Sequence, residues 1–162
     1  MRRHRFTAPL LAAAIAAAAC RPPAGPPFRD PRPARVTVAE LQRLRWIVGD
    51  WRGTGTNQPA FYERYRFQDD STLVVESFAD SSFSAPTDPT FFVLRGGRLG
   101  PDARTAASRI DARSVTFAPQ AAGRNWYRFR YRAPDEWEAV LWWPATPTRP
   151  ERLVTYRMVR VR

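Results

Sequence analysis

Apolar and polar residues alternate with a period of two through much of the chain after Gly49. In one such run Phe61, Glu63 and Tyr65 share one face, while Tyr62 and Arg64 share the other. This alternation is typical of a β-strand with one buried face. The pattern recurs in three later runs, Tyr127-Phe129-Tyr131, Trp137-Ala139-Leu141-Trp143 and Val154-Tyr156-Met158.

Turn-forming residues separate these runs. They cluster at Asn57-Gln58-Pro59, Asp69-Asp70, Gly96-Gly97, Ala122-Gly123, Ala133-Pro134-Asp135 and Thr146 to Glu151. Short strands with regular turns indicate an antiparallel all-β domain. We predict a single up-and-down β-barrel of eight to ten strands, with the polar segment Asp80 to Pro89 as a loop over one end.

One short helix is predicted before the strands. Thr37 and Glu40 have the spacing of a capping box, and Val36 and Leu41 are placed as a hydrophobic staple. Gly49 then provides a stop signal. The sequence therefore predicts a helix from about Val38 to Ile47.

The first residues have the features of an export signal. Arginines follow Met1, an apolar run extends from Phe6 to Ala19, and Cys20 comes next as the one cysteine of the chain. The apolar run is shorter than the roughly 20 residues that span a bilayer. Ala17-Ala18-Ala19-Cys20 resembles a bacterial lipobox, although Ala17 stands where leucine is usual. The alternative is an ordinary signal peptide that is cleaved near Ala19, with Cys20 incidental.

This interpretation divides the chain into three parts. Residues 1–19 are a signal peptide, residues 20–35 are a lipidated Cys20 and a tether rich in proline and arginine, and residues 36–162 are the barrel. A proline-rich stretch favours a semi-rigid extended conformation. We expect this stretch to hold the barrel away from the membrane surface. The expected membrane is the outer one, at its periplasmic face, because Arg21 after the cysteine resembles the pattern for outer-membrane sorting.

The charge balance is strongly basic. The formal net charge is +11, and all the basic residues are arginine. Nucleic acid is not an expected partner for an exported protein, despite the positive charge. Anionic lipid headgroups or polysaccharide are better candidates, and a merely solvated surface is the simplest explanation.

The start of the predicted barrel resembles a known superfamily. Gly49-Asp50-Trp51 resembles the G-x-W signature of calycins, the lipocalin-like β-barrels, and the run from Leu44 to Gly55 looks like the opening of nitrobindin-like barrels. The resemblance implies that Trp51 closes the barrel base and that Arg160, in phase with Met158, packs over it. Nitrobindin-like proteins bind haem through a histidine. The one histidine here is His4, inside the predicted signal, so the haem function is not carried over.

The chain lacks residues that several catalytic mechanisms require. Without a histidine in the mature chain, histidine-dependent triads, zinc sites with histidine and histidine-ligated haem are excluded. Without lysine, no Schiff base can form. No phosphate-binding or dinucleotide-binding glycine motif occurs. We therefore predict a protein that is not an enzyme and has no metal or cofactor.

One pair of carboxyl groups stands out. If Asp69-Asp70 is the tip of a two-residue hairpin, Glu63 lies opposite Glu76 and both point into the barrel. Such a pair would anchor a ligand or act as a general acid and base, because two neighbouring carboxylates do not both ionise easily. The alternative is that an inward arginine bridges them as a structural ion network.

The inward aromatic residues have two interpretations. With Glu63 and Glu76, they would line a ligand cavity; the candidates are Tyr65, Tyr127, Phe129, Trp137 and Trp143. A small barrel also fills its interior with such side chains. The leading hypothesis is an exported, lipid-anchored barrel of the bacterial cell envelope that binds a small apolar or amphipathic ligand. The alternative is an accessory envelope lipoprotein with a filled barrel that acts through its surface.

Overall fold

A computed structural model describes residues 28, 30–87, 89–122 and 125–162 of the chain. The predicted signal peptide, Cys20 and the beginning of the predicted tether lie outside the described residues.

The predicted helix is present as an α-helix followed by a 3₁₀ turn. Helix α1 spans Val38–Gln42, and the 3₁₀ turn spans Arg43–Ile47. The capping box is complete: the Thr37 hydroxyl accepts from the backbone N–H of Glu40 at 3.2 Å, and the Glu40 carboxylate accepts from the backbone N–H of Thr37 at 2.8 Å. These two bonds satisfy backbone donors that the helix itself leaves free, and so fix where it begins.

Ten antiparallel strands follow in the described chain, which confirms the predicted fold class. They are β1 Gly49–Gly55, β2 Gln58–Asp69, β3 Thr72–Phe78, β4 Thr90–Arg95, β5 Arg98–Gly100, β6 Thr105–Asp111, β7 Ser114–Pro119, β8 Trp126–Ala133, β9 Glu136–Trp143 and β10 Arg152–Arg160. Each strand pairs with the next strand in sequence, except that β5 does not pair with β6, and β1 also pairs with β10. The barrel is nearly closed, because the ladder stops at β5 and β6, its two edge strands.

The two ends of the barrel differ. At one end, which we call the base, tight turns join the strands, and α1 and the 3₁₀ turn pack across the opening with Leu41, Leu44 and Ile47 buried. At the other end, which we call the mouth, the connections after β3 and β9 are long. The long loop predicted over Asp80 to Pro89 is the connection between β3 and β4. The interior is therefore closed at the base and accessible from the mouth.

The predicted register of the β2–β3 hairpin is wrong by one residue. Glu76 pairs with Arg64, and Glu63 pairs with Ser77, so the two glutamates point to opposite faces of the sheet. At the turn, the Asp69 carboxylate accepts from the backbone N–H and the hydroxyl of Ser71 at 2.8 Å each. The tip lies at residues 70–71, which alone would shift the pairing by two residues, and an irregularity between Phe67 and Asp69 reduces the shift to one and so turns Glu76 to the outer face.

The chain that leads into α1 is attached to the barrel. The backbone N–H of Ala34 donates to the carbonyl of Ala107 on β6, and that of Val36 donates to the carbonyl of Gly97 just before β5, both at 2.8 Å. This segment thus bonds to both sides of the seam between the edge strands. The described part of the predicted 20–35 tether is accordingly packed on the barrel.

Phe28 fixes the same segment near the mouth. Its ring is buried on the outer face of the sheet, with centroids 5.7 Å from Trp126 and 5.8 Å from Trp142. Trp126 begins β8 and Trp142 lies one residue before the end of β9, so both are at the mouth end. Any free tether in the range 20–35 therefore precedes Phe28.

Candidate ligand cavity

The base is sealed by the contact that the sequence predicts between Trp51 and Arg160. These residues are direct partners in the β1–β10 ladder, and the Arg160 guanidinium carbon lies 4.2 Å from the ring centroid of Trp51. Arg160 also donates to the carbonyl of Val48 at 3.0 Å, and the Trp51 indole donates to the carbonyl of Ile47 at 2.6 Å. A Cβ at Gly49 would lie 2.1 Å from the Arg160 guanidinium, which explains why glycine precedes this tryptophan.

A cavity of about 390 Å³ occupies the barrel interior above this base. Strands β2, β3, β4, β8, β9 and β10 line it with Phe61, Glu63, Tyr65, Val75, Thr90, Phe92, Asn125, Tyr127, Phe129, Ala139, Leu141, Tyr156 and Met158. Most of these side chains are aromatic or aliphatic. The volume is at the lower end of the range of about 300–1,000 Å³ that is typical of small-molecule sites.

Glycines in β1 make room for two of the aromatic rings. A Cβ at Gly53 would lie 2.1 Å from the Phe61 ring, and one at Gly55 would lie 2.8 Å from the Tyr156 ring. The two rings meet edge to face with centroids 5.1 Å apart. Strand β1 is therefore covered by side chains of its two neighbours, which form this wall of the cavity.

Glu63 is the charged residue of the cavity lining. The Tyr65 hydroxyl donates to its Oε2 at 2.7 Å, and no arginine in the described chain pairs with it. Burial raises the pKa of the Glu63 carboxyl, and the bond from Tyr65 opposes this in part. Burial and the neighbouring carboxylate raise the pKa of Tyr65 well above its usual value, so its hydroxyl stays protonated as the donor.

The other predicted glutamate belongs to the outer face. The Arg66 guanidinium donates to the Glu76 carboxylate at 3.0 Å, and on the same face Arg64 makes two bonds to Asp50 at 2.6 and 2.8 Å. The predicted interior carboxylate pair is therefore wrong. The alternative, an inward arginine that bridges the two glutamates, is wrong as well, because Glu76 pairs with Arg66 on the outer face and no arginine of the described chain pairs with Glu63.

The structure divides the predicted aromatic candidates. Tyr127 and Phe129 line the cavity. Trp137 lies below it, 1 % exposed, with centroids 5.3 Å from Tyr65 and 6.0 Å from Trp51. Trp143 does not line the cavity, because it ends β9 and stacks with Arg152, whose guanidinium carbon is 5.1 Å from its ring centroid.

Several lining residues were not among the predicted site residues. Phe61, Tyr156 and Met158 share the inward faces that the alternation identifies, so the period of two was signal enough to find them. Phe92 had no such signal. It lies beside Phe91 in an apolar run, where alternation does not tell which ring points inward.

A larger depression of about 690 Å³ lies along the connection between β9 and β10, at the mouth end. It is lined by the end of β9, the loop that follows and the start of β10, from Trp143 to Arg152. Such a depression has walls from one hairpin, whereas six strands enclose the interior cavity. We therefore take the interior cavity as the candidate site.

Two further findings concern the described residues. They contain no helix of the length and apolarity needed to cross a membrane. No group of three or more His, Cys, Asp or Glu side chains among them comes together in a way that could hold a metal ion.

No protein-family model matches the chain, and no curated protein matches it. Among solved structures, a redesigned β-barrel aligns with 80 % of this chain and 97 % of its own, at 12 % identity and a TM-score of 0.33.

Proposed function

We propose that this protein is an exported, lipid-anchored β-barrel of the bacterial cell envelope that binds a small, mainly apolar molecule in its interior. The observation that carries the proposal is the cavity itself: about 390 Å³, walled by aromatic and aliphatic side chains, closed at the base and bearing one carboxyl group. An apolar cavity with a few polar groups is the usual form of a small-molecule site. A filled barrel acting through its surface is the less favoured function, because the interior retains this space.

We infer binding rather than catalysis from the chemistry of the cavity. Two of its ionisable groups, the Glu63 carboxyl and the Tyr65 hydroxyl, are bonded to each other. The raised pKa of Tyr65 keeps its oxygen from acting as a nucleophile. These two groups are suited to hold and orient a polar group of a ligand.

We also infer that the barrel is of the calycin type. Gly49-Asp50-Trp51 follows a short helix, and the arginine near the end of the last strand lies over the tryptophan. This contact depends on residues from opposite ends of the domain, which makes it a stronger indication than the three-residue signature alone.

The attachment of Phe28 supports a specific arrangement at the membrane. Cys20 precedes Phe28 by eight residues, and a fully extended chain spans about 3.3–3.6 Å per residue. An acyl group on Cys20 would hold Phe28, and with it the mouth of the barrel, within about 30 Å of the bilayer. A ligand from the membrane would then have a short path to the cavity.

Native mass spectrometry of the whole protein, released from the membrane, tests ligand binding by showing whether a small molecule co-purifies. Leu141→Trp places a large ring in the cavity lining and should abolish that adduct. Leu153→Trp is the matched control, because Leu153 is 56 % exposed outside the barrel. The proposal fails if no adduct is found and the apolar dye 1-anilinonaphthalene does not bind, or if both variants bind it like the parent.

The anchor is tested separately through Cys20. Cys20→Ser should move the protein from the membrane fraction to the soluble fraction. Mass analysis of the unaltered protein should show an acylated cysteine at its first residue. An unmodified N-terminus near Cys20 would contradict the lipid anchor and leave the cavity proposal standing.

A further inference from the structure

The interior of this basic protein is acidic. The formal charge of the chain is +11, yet Glu63 is the charged side chain among the described residues that line the cavity. Arg64 and Arg66, its neighbours in β2, point to the outer face and pair there with Asp50 and Glu76. Among the described lining residues, a molecule that enters the cavity therefore meets a carboxyl group and no cation.

The Glu63 carboxyl is incompletely satisfied. A carboxylate has room for about four hydrogen bonds. From the described side chains Glu63 accepts one, from the Tyr65 hydroxyl to Oε2. Removing a charge from water costs free energy unless the charge is paired. A carboxyl group without an ionic partner in an apolar cavity should thus bind a cation strongly, because the cation replaces the interaction with water that the carboxyl loses on burial.

The walls of the cavity also suit a cation. Six of the lining residues carry aromatic rings, namely Phe61, Tyr65, Phe92, Tyr127, Phe129 and Tyr156. The faces of such rings attract ammonium groups, and the attraction grows when water is excluded. The same rings pack against the hydrocarbon part of a ligand, so one lining serves both halves of an amphipathic amine.

We propose that the cavity is selective for organic cations, small apolar molecules with one ammonium group, which places the ammonium on Glu63 and the apolar body among the aromatic rings. This inference rests on the proposed function, since it names the chemical class of ligand for that cavity.

Three probes that differ in charge test the proposal: 2-phenylethylamine, 2-phenylethanol and 3-phenylpropanoate. Each is titrated calorimetrically into the full chain carrying Cys20→Ser, so that detergent does not compete for the cavity. We expect the amine to bind about 10-fold to 100-fold more tightly than the alcohol, as one charge-assisted bond allows. The carboxylate probe should bind most weakly.

Two variants test whether the Glu63 carboxyl is the cause of the preference for the amine. Glu63→Gln keeps the size of the side chain and an acceptor for Tyr65, so the preference for the amine should be lost while the affinity for the alcohol stays within about threefold. Glu76→Gln removes the same charge from the outer face and should leave the preference intact.

The outcomes separate this inference from the proposed function. Equal binding of amine and alcohol, or tightest binding of the carboxylate probe, overturns cation selectivity while the cavity remains a binding site. A preference that Glu76→Gln reduces as much as Glu63→Gln does also overturns it, because the charge effect would then come from the surface. Failure of all three probes to bind counts against both.

Discussion

The Glu63 carboxyl, at the scale of a single residue, links the cavity to the stability of the fold. Burial raises its pKa in the folded protein above the value in the unfolded chain. The folded state therefore binds a proton more readily than the unfolded state does. Ionisation of Glu63 therefore lowers the free energy of unfolding. This loss is absent below the unfolded-state pKa and develops as the pH rises through the folded-state pKa.

Glu63→Gln should for this reason stabilise the domain at neutral and higher pH. The variant removes the charge but keeps an acceptor for Tyr65. Melting temperatures measured between pH 4 and pH 8 should show a gain for the variant that shrinks as the pH falls. Glu76→Gln, the control on the outer face, should show no such gain because its carboxylate is paired with Arg66. A variant less stable than the parent at pH 8 would show that the carboxylate has a partner.

Trp51 is the residue on which closure of the base depends. It is fully buried, donates to the carbonyl of Ile47 and lies under the Arg160 guanidinium. Trp51→Ala should lower the free energy of unfolding by about 3–5 kcal/mol, as truncation of large buried aromatic residues does. Urea denaturation followed by circular dichroism measures the loss. Trp143→Ala, at the opposite end, should cost much less, and equal losses would contradict the role given to Trp51.

At the scale of the element, the sequence predicts some features of the strands and leaves others open. The position of the helix follows from Thr37 and Glu40, because a capping box acts between residues close in sequence. The inward face of β2 follows from its alternation. The register of β3 does not follow from the sequence. Leu73, Val74 and Val75 are consecutive apolar residues and all are buried, so no alternation shows which face of β3 points into the barrel.

The same reasoning explains what was predicted of the site. Glu63, Tyr65, Tyr127 and Phe129 were found because their strands alternate clearly. Glu76 was misplaced because its direction depends on the irregularity between Phe67 and Asp69 beside the turn, which leaves a net register shift of one residue and so turns Glu76 to the outer face. A sequence pattern shows that Asp can bond to a nearby backbone N–H, but not whether it does so in a given hairpin.

Strand β1 gives a prediction about the cavity wall. Gly53→Ala places a Cβ where the Phe61 ring now lies, so the ring must move away from β1. We expect a loss of about 1–3 kcal/mol in the free energy of unfolding, typical of an overpacked site. Thr54→Ala, on the other face of the strand, is the control in the same denaturation experiment. An unchanged stability for Gly53→Ala would mean that Phe61 is not held against β1.

On the scale of the whole molecule, the segment before α1 completes the barrel. It bonds to both edges of the seam through Ala34 and Val36, and Gln120 donates to the carbonyl of Pro31 at 2.8 Å. Phe28 then fixes its start between two tryptophans. The seam is thus covered by chain from outside the ten strands.

Phe28→Ala should release this segment and expose it to protease. Arg35 lies within it and is followed by Val36, so brief digestion with trypsin should cut after Arg35 faster in the variant than in the parent, with the products identified by mass spectrometry. Phe91→Ala, at a ring that is 41 % exposed, is the control and should leave the pattern unchanged. Equal cleavage of parent and variant after Arg35 would show that Phe28 does not hold the segment.

The pairing of β1 with β10 has a consequence for the time course of folding. Arg160 bonds to the carbonyl of Val48, 112 positions earlier in the chain, so the barrel cannot close until nearly all of it has been made. Contacts between such distant residues are slow to form, commonly in milliseconds to seconds. Until then β1 has an unpaired edge that another chain can join. Pairing of β10, the last strand and nine residues long, with β1 therefore ends the period in which this protein is most prone to aggregate.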